Sequence, residues 1–249
     1  MIKKSSQKKY SDSENKIILR LKTQPQLYDA LFFSHKNMLT AIELLTKKYV
    51  KKEMTVIDIG CGTKPYRSLF PKNVNYIGVD CVCNSDEDVL AYAWKIPLKS
   101  QSADIIFSTF SLEHINELDA TEKEISRLLK KNGQLFITVP FVFPEHETPY
   151  DYWRFTRFGV QSIFKKYSIM EKFDDEGYLP TIAVLNNLLF QAAIKEPTIC
   201  KVFFIINNAT TLFIDKLVKK IFPYRVNKNL FYYALPLNNT YLLKKMDRR

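Results

Sequence analysis

Cysteine is scarce in this chain of 249 residues: four occur, at positions 61, 81, 83 and 200. That is too few for a disulfide-stapled scaffold, and reduced thiols are the expectation. Glycine is rarer than proline, six against eleven, which excludes collagen-like and glycine-linker architectures. No run reaches 18 consecutive apolar residues, so no segment reads as a simple membrane-spanning helix. The start lacks the charged, apolar and small-residue succession of a secretory signal, and none is expected. What is present excludes wholesale disorder. With 46% apolar and 14% aromatic residues, the chain can build one large core, with room for an appended subdomain.

The net charge of +11 is unevenly placed. Residues 1–52 carry +8, residues 53–179 carry −5 and residues 180–249 carry +8. Basic ends flanking an acidic middle point to an anionic partner, either a membrane surface or nucleic acid.

Residues 1–16 are rich in Lys, Ser and Gln, show no apolar periodicity and read as a loose arm. Apolar residues at three- and four-residue steps predict a helix over 27–50. A β-branched run, Thr55–Ile59, then enters the tight turn Gly60-Cys61-Gly62-Thr63. Further strands are expected at Tyr76–Asp80, near Val89–Trp94, and at Ala103–Ser108, Leu135–Val139, Ser168–Phe173 and Asn239–Lys244. Helices are expected at 119–131, stopped by Lys130-Lys131-Asn132-Gly133, at Phe158–Tyr167, and across most of 181–222 with a break at Lys195-Glu196-Pro197. Strands alternating with helices predict an α/β fold, a doubly wound parallel sheet whose site lies at the carboxyl ends of the strands.

The most informative motif is Val56-Ile57-Asp58-Ile59-Gly60-Cys61-Gly62. Glycines after a strand let a ligand approach the backbone without meeting a Cβ. Asp80 ends the next strand about 20 residues on, where a carboxylate can accept hydrogen bonds from both ribose hydroxyls of an adenosine cofactor. Position 65 is Pro and G-x-G-x-x-G is not completed, which weighs against NAD and FAD. The phosphate-loop pattern G-x-x-x-x-G-K-[ST] is absent too.

Over roughly residues 54–178 the sequence resembles the class I S-adenosylmethionine-dependent methyltransferases. Asp58–Thr63 resembles the family's nucleotide loop and Tyr76–Asp80 its ribose-binding strand. Ile96-Pro97-Leu98 through Ser111-Leu112-Glu113-His114-Ile115 resembles the block around the fourth strand. Gly62–Arg67 and Pro149–Thr156 resemble a narrower subgroup often met in bacterial surface-glycan gene sets. The resemblance implies a seven-stranded Rossmann-like sheet, S-adenosylmethionine as cofactor, and cofactor contacts from Asp58, Gly60, Cys61, Gly62, Asp80 and Phe110. It divides the chain into a basic arm and helical cap (1–53), a cofactor-binding core (54–180), a helical insertion before the last strand (181–236), and that strand with a tail (237–249). Two positions depart from the common pattern. Tyr92 stands where many relatives have an adenine-binding acid, and Lys64 replaces the third glycine.

Methyl transfer from a sulfonium is an in-line displacement that depends mainly on alignment, and an alcohol acceptor gains from a nearby general base. Glu145, His146, Glu147 and Asp151 follow the fifth strand, and His146 is the preferred base because imidazole titrates near neutral pH. Tyr150, Asp151 and Arg154 are the expected substrate contacts. Arg154 suits either an acidic substrate group or a clamp onto Asp151, and His114 is expected to be structural. The His/Glu/Asp run shows no metal-ligand spacing, and Cys81-Val82-Cys83 lacks two further ligands, so no metal is assigned. Ser108-Thr109-Phe110-Ser111 stands where amino-methylating DNA enzymes carry Asn/Asp-Pro-Pro-aromatic, which disfavours amino-methylation of DNA. RNA stays open as an alternative, together with a small molecule or a catalytically silent binding module.

In the insertion, Val202, Phe203, Ile206, Ala209, Phe213, Leu217 and Ile221 form an apolar stripe flanked by Lys201, Lys216, Lys219 and Lys220. That pattern suits a helix lying in a membrane interface, or one packed on the sheet or on a second subunit of a homodimer. The expectation is a cytoplasmic enzyme, peripheral at the inner face of the membrane. Its expected reaction is O-methylation of a sugar on a surface glycan or its lipid-linked precursor.

Overall fold

Strand β1 (Thr55–Ile59) is buried on both faces, the condition of an inner strand in a sheet covered by helices on both sides. Successive side chains take opposite sides. Ile57, Ile59, Ile106, Leu135 and Ile137 join Ile125 and Leu128 of helix α3 (Leu118–Leu128) in one core. Val56, Ile105, Phe107 and Phe136 join Met38, Ala41, Ile42 and Leu45 of helix α2 (Phe32–Tyr49) in the other. The period of two in the strands and of 3.6 in the helices therefore builds two apolar layers around one sheet.

The computed structural model describes residues 11–82, 86–173, 177–222 and 235–246. The remaining strands are β2 (Asn75–Asp80), β3 (Val89–Leu90), β4 (Ala103–Thr109), β5 (Leu129–Pro140), β6 (Tyr167–Phe173) and β7 (Asn238–Lys245). They form a seven-stranded sheet in the order β3-β2-β1-β4-β5-β7-β6. β7 runs antiparallel to both β5 and β6, and the other pairs are parallel. Strand order reverses between β1 and β4, so their loops diverge and open a crevice at the carboxyl ends. Helix α4 (Arg157–Ile163) precedes β6, while α5 (Tyr178–Ala193) and α6 (Pro197–Ile221) separate β6 from β7.

Three expectations are corrected. The loose arm gives way, from Asp12, to helix α1 (Asp12–Thr23). Its start is a reciprocal cap in which the Glu14 amide donates to Ser11 Oγ and the Ser11 amide donates to Glu14 Oε2. The helix expected over 27–50 begins only at Phe32, because 27–31 is a turn gathered around Asp29. The Asp29 carboxylate accepts the Gln26 amide and a bidentate pair from Arg20. The helix expected over 119–131 ends at Leu128, and Lys130–Gly133 belongs to β5 rather than to a helix stop. There Ala103 pairs with Leu129 across β4 and β5, so sheet pairing overrides local helix-stop chemistry.

The insertion reaches back to the cap through amides. Asn187 donates to the Ala30 carbonyl and to Asn208, and Asn208 donates to the carbonyls of Leu27 and Asp29. Cys61, Cys81 and Cys200 are free thiols. Cys83, residues 223–234 of the insertion and the tail at 247–249 lie outside the described residues.

Candidate functional site

The glycine turn stands at the end of β1. Gly60 and Gly62 both have positive φ, +75° and +50°, where an L side chain is strained. The amides of Gly60 and Cys61 donate to the Val79 carbonyl of β2, which fixes the turn beside that strand. A Cβ on Gly60 would lie 2.3 Å from the Cβ of Ser111, so this glycine is required by the loop after β4. A Cβ on Gly62 would meet nothing within 4 Å. That open cradle is the kind of space a cofactor backbone contact needs.

Asp80, at the end of β2, accepts the Gly62 amide at 2.9 Å and the Val82 amide at 2.8 Å. Burial raises its pKa, and these backbone donors pull in the opposite direction. Its carboxylate is therefore held in a fixed orientation at the rim of the cradle, as ribose recognition requires. Asp58 lies beneath the turn and accepts a 2.6 Å bond from the Tyr76 hydroxyl. Burial pushes its pKa from 3.8 up to about 7. Lys64 does not obstruct the rim. Its side chain crosses Gly78, where an added Cβ would come within 2.2 Å of Lys64 Cε, and ends on Asp88 at 2.8 Å. Tyr92 stacks on Trp94. Phe110, at φ +50°, closes the turn after β4, with its amide bonded to the Thr138 carbonyl of β5.

Folding stability carries the sign of the Asp58 shift. Between pH 3.8 and about 7 the folded protein holds a proton that the unfolded chain releases, so this group makes stability fall as pH rises through that window. Melting curves from pH 5 to pH 8 should show a larger loss of Tm in the wild type than in Asp58→Asn. Parallel profiles would remove Asp58 as the cause.

Facing the glycine turn is the loop after β5. Three bonds stitch it to the segment after β4. The Tyr152 amide donates to the Glu113 carbonyl, Trp153 Nε1 donates to the Ile115 carbonyl, and His114 Nδ1 lies 2.8 Å from the Tyr150 carbonyl. Arg154 uses five N–H bonds on the loop itself: two to Asp151, and one each to the carbonyls of Phe143, Pro144 and Trp153. The guanidinium holds the Asp151 carboxyl well below its ordinary range. Asp151 and Arg154, expected at the substrate, are thus joined as the loop's clamp, while Tyr150 contributes its carbonyl to orient His114. The clamp also positions His146. The His146 amide donates to Asp151 Oδ2, and its Nδ1 lies 3.3 Å from the same oxygen and 3.2 Å from the Pro144 carbonyl. Both neighbours of Nδ1 are acceptors, so the proton belongs on Nδ1 and Nε2 keeps its lone pair.

Sequence reasoning assigned no role to Glu113. It is fully buried and neither carboxylate oxygen has a hydrogen-bond partner. Burial pushes its pKa up to about 8. Glu113, His114 and His146 each offer a donor atom, all within 4.8 Å of one another. Two imidazoles and a carboxylate suit a first-row divalent cation. Linear spacing could not reveal this trio, because it joins loops 32 residues apart in sequence.

A sheet of this order with a glycine cradle and a strand-end acid meets its family at this point. Residues 33–178, more than half of the chain, match the family described as methyltransferase domain. The chain belongs to that family. It carries a methyltransferase domain, within which the glycine turn at Gly60 and Gly62 meets the strand-end acid Asp80.

The ubiquinone biosynthesis O-methyltransferase of Pelagibacter ubique is 31% identical to this chain over 103 residues, covering 34% of the chain and 42% of the relative. The ubiquinone/menaquinone biosynthesis C-methyltransferase of Campylobacter jejuni is 27% identical over 115 residues, 39% of the chain and 49% of the relative. The matches thus span less than half the length of these curated relatives. Among solved structures, the geranyl diphosphate C-methyltransferase of Streptomyces coelicolor A3(2) aligns with a TM-score of 0.51 at 13% identity, over 97% of this chain and 86% of that one. The [4+2]-cyclase SpnF gives the same TM-score at 15% identity, over 86% and 82%. Those structures share the fold, and their different chemistries show that acceptor and reaction are written in the site.

The cofactor assignment has a direct test. Asp80→Ala should weaken S-adenosylhomocysteine binding by about 1.5–3 kcal/mol, the range of a charge-assisted hydrogen bond. Calorimetry on a variant that melts normally should show it, and unchanged affinity would take Asp80 out of the site.

Proposed function

We propose that the methyltransferase acts on a hydroxyl oxygen of an amphiphilic acceptor, a sugar of a surface glycan or its lipid-linked precursor. The observation that carries the oxygen assignment is the pair Asp151–His146. A carboxylate fixes one imidazole nitrogen and leaves Nε2 able to take a proton, in a loop at the carboxyl edge of the sheet. An alcohol attacks a sulfonium methyl best when its proton is leaving, and a base within about 3 Å supplies that. A bound S-adenosylmethionine supplies an electrophilic methyl group. His146 would receive the acceptor proton at Nε2, Asp151 would stabilise the imidazolium through Nδ1, and Arg154 would keep both in register. The lipid-linked acceptor is supported by the basic, apolar face of α6, whose lysines and exposed side chains suit an amphiphile's surroundings.

A second reading is favoured by the matches to ubiquinone-pathway enzymes: the acceptor hydroxyl sits on an isoprenoid-tailed ring. Both readings predict transfer into organic-extractable material. Incubation with methyl-labelled S-adenosylmethionine and a total lipid extract, followed by mild acid hydrolysis and mass spectrometry, separates them. An O-methyl sugar released by acid supports the glycan. Label kept on the lipid after acid supports the ring. Label only in water-soluble sugar nucleotides or RNA would reject both.

A further inference from the structure

We propose that Lys22, on the N-terminal helix, binds the carboxylate of the donor's amino-acid tail and so closes α1 over the cofactor. The tail is a zwitterion and requires one cation and one anion from the protein. Lys64 is paired with Asp88 and Arg154 with Asp151. Lys22 reaches in from the last turn of α1 with its amine 5.9 Å from the ring centre of Tyr66, just beyond the glycine turn. It lies in electrostatic reach of Glu147 from the β5 loop, Asp58 from β1 and Glu113 from the β4 loop, yet forms no ion pair within 4.0 Å among the described residues. Desolvation lowers its pKa, as expected of an ammonium waiting for a counter-ion.

The placement suits one end of the donor. A donor whose ribose sat at Asp80 on β2 could direct its tail along the carboxyl edge of the sheet to Lys22, whose acidic neighbours Glu147, Asp58 and Glu113 could take the ammonium group. Helix α1 itself buries no residue and is anchored by the bidentate Arg20–Asp29 pair. Its insertion of Lys22 is therefore a contribution to the site rather than to the core.

The test compares two ligands by calorimetry. S-adenosylhomocysteine carries the amino-acid tail, and 5′-methylthioadenosine has the same nucleoside and a thioether without it. Lys22→Met should lose ten- to hundredfold in affinity for the first and keep its affinity for the second, while Lys22→Arg should retain most of both. Equal losses for both ligands would make Lys22 a support of the cap, and unchanged S-adenosylhomocysteine binding would remove it from the site. Either result overturns the proposal. Failure of the wild type to bind both ligands would instead overturn the cofactor assignment.

A separate observation carries a second proposal: the outer face of α6 docks on the surface of an anionic membrane. Cys200, Phe204, Asn208 and Thr211 turn inward. On the opposite side Val202, Ile206, Phe213 and Leu217 are exposed, Phe213 by 67%. The helix is long and apolar enough to cross a bilayer. Its inward amides are bonded to the cap, however, and a spanning helix would have to leave those partners. It therefore lies in the interface plane. Lys201, Lys216, Lys219 and Lys220 border the stripe or close its C-terminal end, and the +8 charge of residues 180–249 selects anionic lipid over a second, equally basic copy of the chain.

Flotation should recover the wild type with phosphatidylglycerol-containing vesicles and not with pure phosphatidylcholine. Added salt should release it, and Ile206→Glu/Phe213→Glu should abolish recovery while keeping S-adenosylhomocysteine binding. Absence from both vesicle types overturns the proposal. So does a wild-type dimer in sedimentation that the same double substitution dissociates.

Discussion

Gly60→Ala will unfold the cofactor loop, and Gly62→Ala will leave the protein folded with its cofactor affinity reduced. The contrast follows from what each new methyl group meets. At Gly60 the methyl lands 2.3 Å from Ser111 Cβ, inside a contact that also includes the Ser111 hydroxyl bond to the Ile59 carbonyl. Neither β1 nor the β4 loop can retreat, since both are held in the sheet. To the clash is added about 1–2 kcal/mol for a left-handed backbone with a Cβ. Several kcal/mol in a chain of this size lowers Tm by roughly 2–4 °C per kcal/mol, so a fall approaching or exceeding 10 °C is expected. At Gly62 the methyl enters open space and only the backbone term applies. The Tm should fall by a few degrees, and S-adenosylhomocysteine affinity should fall because the cradle is filled. Differential scanning calorimetry and titration on both variants check this. Equal Tm values for the two would refute the assignment of Gly60 to the Ser111 contact.

His146→Ala should cut turnover at least about a hundredfold while preserving S-adenosylhomocysteine affinity, the signature of a lost general base. Asp151→Asn should act in the same direction, because it weakens the acceptor that keeps the Nδ1 proton in place and frees Arg154 from its clamp. Running the wild type with and without EDTA distinguishes two uses of the same nitrogen. Activity retained in EDTA supports proton transfer. Activity lost, and restored by a divalent cation, would reassign Glu113, His114 and His146 to a metal centre. Intact turnover in His146→Ala would leave alignment alone as the source of rate.

Much of the core was legible in the linear pattern. A β-branched run stopping at Gly60-Cys61-Gly62 can be little but a strand entering a ligand turn, and β1 is found at Thr55–Ile59 as read. Asp80 follows at the end of the next strand because its spacing is set by one crossover. These are local facts, since period, turn chemistry and short spacing are carried by neighbouring residues. Where the reading departed from the structure, distant residues decide. Lys130–Gly133 has the composition of a helix stop, yet pairing with β4 draws Leu129 and its successors into β5. The segment at 12–23 has few apolar residues and buries none, so no periodicity marks it, although its capping residues Ser11 and Glu14 were visible.

The site divides in the same way. Composition and spacing located the glycine turn, the strand-end acid Asp80 and His146 in the loop after β5. Tertiary structure decided that Asp151 and Arg154 hold that loop together, that Glu113 lies without a hydrogen-bond partner beside two imidazoles, and that Lys22 arrives from a helix more than 30 residues before the first strand. The physical reason is that a charge's role depends on which partner reaches it first and how dry the meeting place is. Neither is a property of the residue's neighbours in sequence. Both arise only when the crossovers of the sheet bring separate loops to one edge.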